Sequence, residues 1–187
     1  MEINNDADLA KAISKADQLI QAIHDYAGRD FSNTWQLRFP RGYVRTASQQ
    51  RKRMPFLSNG PLKENLSYTL ILSDTVHWLL VRTDVSGTIK SQLVKMHLFL
   101  LGSLAESITK VYLGRKCKQG YKQRTHFLLA GDLIDQNLKD DLDWLWDMRN
   151  NMHLFLVADS EHNCPDYTVP HHDRGVRAFQ KLLAKLS

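Results

Sequence analysis

GTIKSQLVKMHLFLLGSLAESITKVYL, residues 87–113, carries the strongest periodic signal in the chain. Ile89, Leu93, Met96, Leu100, Leu104, Ile108 and Val111 step by three and four residues through seven turns, so they share one face of a long helix. Gly114 follows at the position where helices stop. A helix of that length with so apolar a face needs other helices to cover it, and the flanking sequence supplies them.

On its N-terminal side, Pro61 stands where a first-turn proline belongs. Leu66, Leu70, Val76, Leu79 and Leu80 then carry a helix to about Thr83. Earlier still, Leu9, Ile13, Ala16, Ile20 and Ile23 predict an amphipathic helix over residues 8–27, closed by Gly28. Between these, residues 29–60 lose the period and carry Pro40, Gly42, Pro55 and Gly60; irregular stretches of this length are usually functional or disordered. Strand-like alternation is confined to a weak patch around Trp35–Val44. On the C-terminal side a short apolar segment, His126–Ala130, leads into a helix from about Asp135 to His153, with Leu138, Leu142 and Leu145 on one stripe. Residues 157–169 read as a polar loop. Thr168-Val169-Pro170 then starts a last helix whose inner face is Val176, Phe179, Leu183 and Leu186. The expected architecture is an all-α bundle of four to six helices, with residues 1–63 as an N-terminal helix plus irregular segment and 64–187 as the bundle, together one compact domain.

The 187 residues have ordinary globular composition, 43% hydrophobic and 24% charged, which excludes a disordered or collagenous chain. Two cysteines, Cys117 and Cys164, are too few for a disulfide framework. The acidic start lacks the positive n-region of a secretory signal, and the most apolar run, Met96–Leu101, is far short of a membrane span. A cytoplasmic protein without membrane attachment is expected. Net charge is +5, in blocks: residues 29–63 hold eight Lys/Arg against Asp30 alone, and residues 114–124 hold five basic groups and no acid. Clustered charge focuses a field that scattered charge does not, so an anionic partner is expected. Arg41, Arg45, Arg51, Lys52 and Arg53, interleaved with Tyr43 and Phe56, would track phosphates and stack bases; Arg115, Lys116 and Lys118 form the second basic patch. The alternative for both is a solvated surface loop.

Arg149 continues the apolar stripe of Leu138, Leu142 and Leu145, and His153 follows four residues later on the same side. A guanidinium on such a face must be paired, or open onto a cleft or a partner surface; otherwise the helix simply emerges from the core there. The segment DLDWLWDMRNNMHLF, late in a helical chain, resembles the signature of the HEPN superfamily, an Arg, a polar residue, a short spacer and a His. HLFLLGSLAES (97–107) resembles that family's long core helix with its acidic residue at Glu106, and PHHDRGVRAFQKLLAKL its closing helix. The resemblance covers residues 64–187. It departs at the spacer: three residues separate Arg149 from His153, where the family has four to six. The resemblance implies metal-independent RNA cleavage by a homodimer, of toxin or defence type with a neutralising protein partner in prospect. His153 would move the proton, Arg149 would stabilise the phosphorane and Asn150 would orient the phosphate or the imidazole. A shortened spacer equally allows a non-catalytic module that binds nucleic acid, nucleotide or protein.

No cofactor is expected. His162, Cys164, His171 and His172 lack structural-zinc spacing, so no metal site is expected either. His77 and His97, inside apolar helices, read as satisfied core histidines. Trp78, Trp144 and Trp146 read as core or dimer-interface aromatics.

Overall fold

The computed structural model describes residues 2–29, 32, 36–151 and 167–187, and every regular element among them is helical. The chain divides into two compact units, Met1–Pro40 and Arg41–Ser187.

The first unit is built on α1 (Asp6–Ala27). Asn5 caps it by accepting from the Asp8 amide, and Gly28 ends it at φ 56°, in the left-handed region that glycine enters without strain. No residue of α1 is buried.

The second unit holds α2 (Ala47–Lys52), α3 (Gly60–Arg82), α4 (Gly87–Leu113), α5 (Tyr121–Ala130), α6 (Gln136–Asn150) and α7 (Val169–Leu186). The α4 helix is central and packs against α3, α5, α6 and α7. Its buried positions include Val94, Leu98, Leu101, Ala105 and Ile108 as well as Leu100 and Leu104. Ile89 and Met96, placed on the inner stripe by the sequence, are instead exposed. Buried residues fall on most sides of the middle of α4, so a single stripe understates a helix covered by several neighbours.

Two elements go beyond what periodicity resolves. The α5 helix extends the short apolar segment back to Tyr121, and α2 lies inside the stretch read as irregular. The α2 helix has only six residues, too few for a period, but its capping box is complete: the Thr46 hydroxyl accepts from the Gln49 amide, and the Gln49 side chain accepts from the Thr46 amide. The unit boundary therefore falls at Pro40, not at residue 63. Residues 41–63 fold with the bundle, because Met54 and Leu57 enter its core and the fully buried Gln50 donates to the Asp74 carboxylate of α3 at 2.8 Å. The described part of the Trp35–Val44 patch, residues 36–44, contains no strand.

Candidate functional site

Where α4, α5 and α6 meet, the core stops being apolar. Leu138, Leu142 and Leu145 are buried along α6, and one turn after Leu145 the stripe delivers Arg149, partly exposed, as its spacing requires. Gly102 of α4 lets the two helices approach: a Cβ there would lie 2.8 Å from the Arg149 Cβ and 3.1 Å from the Leu145 carbonyl oxygen. One turn beyond Gly102, Glu106 receives the Arg149 guanidinium at 3.3 Å. Arg149 also donates to the Asn150 side-chain oxygen at 2.8 Å. The need of this guanidinium for a partner is thus met inside the chain.

A second guanidinium faces the same carboxylate. Arg124 of α5 is buried, donates to the Gln119 carbonyl at 2.9 Å and sits 4.0 Å from Glu106, beyond hydrogen-bond reach. Arg124 also lies over the Tyr121 ring, which stacks on Trp146 at 5.6 Å between centroids. Burial pushes the Tyr121 phenol well above its ordinary range. Among the described residues, the buried side-chain polar atoms without a hydrogen-bond partner are Ser103 Oγ, Tyr121 Oη, Arg124 Nε and Nη2, Trp146 Nε1 and Arg149 Nε. All six belong to α4, α5 and α6 at this junction, and five are nitrogens or hydroxyls of the residues just described. Native interiors leave few such groups, and here they are mostly donors around two cations and one carboxylate. Chemically, that is a set of uncommitted N–H groups on two guanidiniums, suited to an anion, although the Asp143 carboxylate also lies near Tyr121.

The sequence-predicted residues divide between two places. Arg149 and Asn150 lie at this junction, and Arg115, Lys116 and Lys118 are exposed on the connection that leads into α5. His153 lies outside the described residues, as do His162 and Cys164 of the zinc candidate set. Arg45 and Arg53 serve α2 instead. Arg45 binds Asp74 at 2.9 Å, and Arg53 donates to Gln50 at 2.8 Å, so both are tied into the α2–α3 contact. Arg41 and Lys52 are exposed and Arg51 half-buried. Sequence reasoning missed Arg124; the absence of acids from residues 114–124 was its only trace.

On another side of α4, three histidines converge. His77 of α3, His97 of α4 and His172 of α7 have ring centroids 5.5, 5.3 and 4.9 Å apart in the three pairs. His97 and His172 are buried, and His77 borders a cleft of about 290 Å³ lined also by Tyr43, Arg45, Arg53 and Asp74. Burial depresses the His97 imidazole to about 3, with the two neighbouring rings adding to the effect, and burial likewise lowers His172 and His77. All three are neutral at physiological pH. His97 is thus a core histidine with polar partners, as expected, whereas His77 is only half-buried; His172, singled out in the sequence only beside His162, Cys164 and His171, is buried against both, and the set of three spans three helices and has no local signature.

No protein-family profile, curated protein or solved structure matches this chain.

Proposed function

We propose that this chain is an HEPN-like, metal-independent endoribonuclease that acts as a homodimer, with Arg149 and Asn150 in its active site. The observation that carries the reading is the junction of α4, α5 and α6, where Glu106 holds the partly exposed Arg149 beside the buried guanidinium of Arg124 and a set of unpartnered donors. A scissile phosphate fits that environment. As the RNA 2′-hydroxyl attacks phosphorus, a base removes its proton and the 5′-oxygen leaves with a proton returned to it. The phosphorane between these events carries extra negative charge. Arg149, permanently protonated, would meet it with paired N–H groups, and Arg124 would add charge from behind. Glu106 fixes the direction of Arg149 while leaving its Nε uncommitted. The resemblance assigns the proton transfers to His153, whose type titrates near neutrality. The exposed Arg115, Lys116 and Lys118 would guide the RNA backbone toward α5. One chain offers one Arg/His pair, so two chains would furnish the two proton-transfer groups of a complete reaction.

The test is cleavage of an end-labelled, partly single-stranded RNA by purified protein. Products ending in 2′,3′-cyclic phosphate, no cleavage of the matching DNA, and activity that persists in EDTA are expected. Arg149→Ala and His153→Ala should each lower the rate by about a hundredfold or more while the helical circular dichroism stays unchanged. Light scattering should report a dimer. Wild-type protein that binds RNA but never cuts it would overturn the enzymatic reading and leave the non-catalytic module in its place.

A further inference from the structure

We infer that His77, His97 and His172 form a binding site for a zinc-like divalent transition-metal ion, distinct from the Arg149 junction. Glu106 lies nine residues beyond His97 on α4, which at 100° per residue places it on the opposite face and about 13 Å further along the axis. The two sites therefore do not share a ligand, and this inference does not rest on the ribonuclease reading.

Three helices each place one histidine on their inner stripe. On α3, Ser73 and His77 continue the line of Leu66 and Leu70. On α7, His172 precedes Gly175, where a Cβ would meet Leu98 of α4 at 2.5 Å, so α7 sits close enough to bring its ring against His97. A hydrogen-bonded relay would explain one contact, the 2.8 Å approach of His97 Nδ1 to His172 Nε2. It does not explain the third ring. His77 Nδ1 lies 3.5 Å from the same His172 Nε2, and the three rings are nearly equidistant from one another rather than strung in a line. Tetrahedral zinc with bonds of about 2.0–2.1 Å requires nitrogens roughly 3.3 Å apart and ring centroids roughly 5 Å apart. The ligand atoms of the three residues all fall within 4.8 Å of one another.

The outward-facing nitrogens support the same assignment. Metal-bound histidines use their second nitrogen to hold a hydrogen-bond partner that fixes tautomer and ring orientation. Here His97 Nε2 meets the Ser73 hydroxyl at 2.8 Å, and His172 Nδ1 faces the Asp173 carboxylate at 3.4 Å. With its proton on Nδ1, toward Asp173, a neutral His172 would present Nε2 to the metal. With its proton on Nε2, donating to Ser73, His97 would present Nδ1. Three neutral imidazoles suit zinc, and the cleft beside His77 and His97 gives the ion an entrance and a fourth ligand from water.

The experiment uses the full chain, untagged, stripped with chelator and then given zinc chloride or cobalt chloride. One equivalent of zinc should survive desalting, and zinc at a hundred times its Kd should raise the melting temperature by about 5–10 °C. Cobalt should give the visible bands of a tetrahedral centre without thiolate charge transfer. His77→Ala, at the half-buried edge of the cluster, should bind zinc at least a hundredfold more weakly, and Ser73→Ala about tenfold more weakly. His171→Ala, next in sequence but outside the triad, should bind as wild type does. No retained zinc, an unweakened Ser73→Ala and His77→Ala pair, or a thiolate band from cobalt would each overturn the assignment.

Discussion

Gly102 shows how one atom can govern the junction. Any Cβ there would press on the Arg149 Cβ and on the Leu145 carbonyl, and the second of these is backbone that cannot swing aside. Gly102→Ala should therefore separate α4 from α6 locally, costing about 1–3 kcal/mol of stability as small-to-large core changes do. It should also weaken the Glu106–Arg149 contact, so RNA cleavage should fall further than stability alone explains. Urea unfolding and single-turnover cleavage on the same preparation would check both; an alanine variant as stable and as active as wild type would show that the approach is slack. The residue scale is also where sequence reasoning reached furthest and then failed. Arg149 was found because four residues along a helix is a local rule. The approach of Arg124 to Glu106 and the meeting of His77, His97 and His172 were not read, because each joins different helices and no spacing along the chain encodes that.

The short α2 element divides a run of three basic residues by what each touches. Arg53 is bonded to Gln50, which is bonded to Asp74, whereas Arg51 and Lys52 make no such link to α3. Reversing Arg51 and Lys52 to Glu should leave the melting temperature nearly unchanged, while RNA affinity loses part of its salt dependence, since fewer counterions are released. Arg53→Glu places an acid against the Gln50 oxygen and near Asp74, and should destabilise the fold by roughly 1–3 kcal/mol. Thermal melts of the two variants side by side separate the roles, and equal losses of stability would contradict the division. The helix itself went unread in the sequence, where its caps are its only local trace. Thr46 and Gln49 stand at capping-box spacing, but six residues leave no room for the apolar repeat by which the longer helices announce themselves.

At the scale of the molecule, the long helices were legible because burying one face of a helix leaves a local record in sequence. The centrality of α4 was not, since its stripe does not say how many neighbours will lie against it. That centrality has a consequence for motion. Helices at the edge of the bundle can peel away singly, but α4 is covered by α3, α5, α6 and α7 and can open only when its neighbours have left. In hydrogen exchange, the α4 amides from Val94 to Ile108 should exchange last and together, at a free energy equal to that of global unfolding. Amides of α1, a helix with no buried residue, should exchange orders of magnitude sooner. Because Arg149 and His97 both lean on α4, each proposed site is anchored to the part of the protein that breathes least, and a ligand leaving either one need not wait for the fold to loosen.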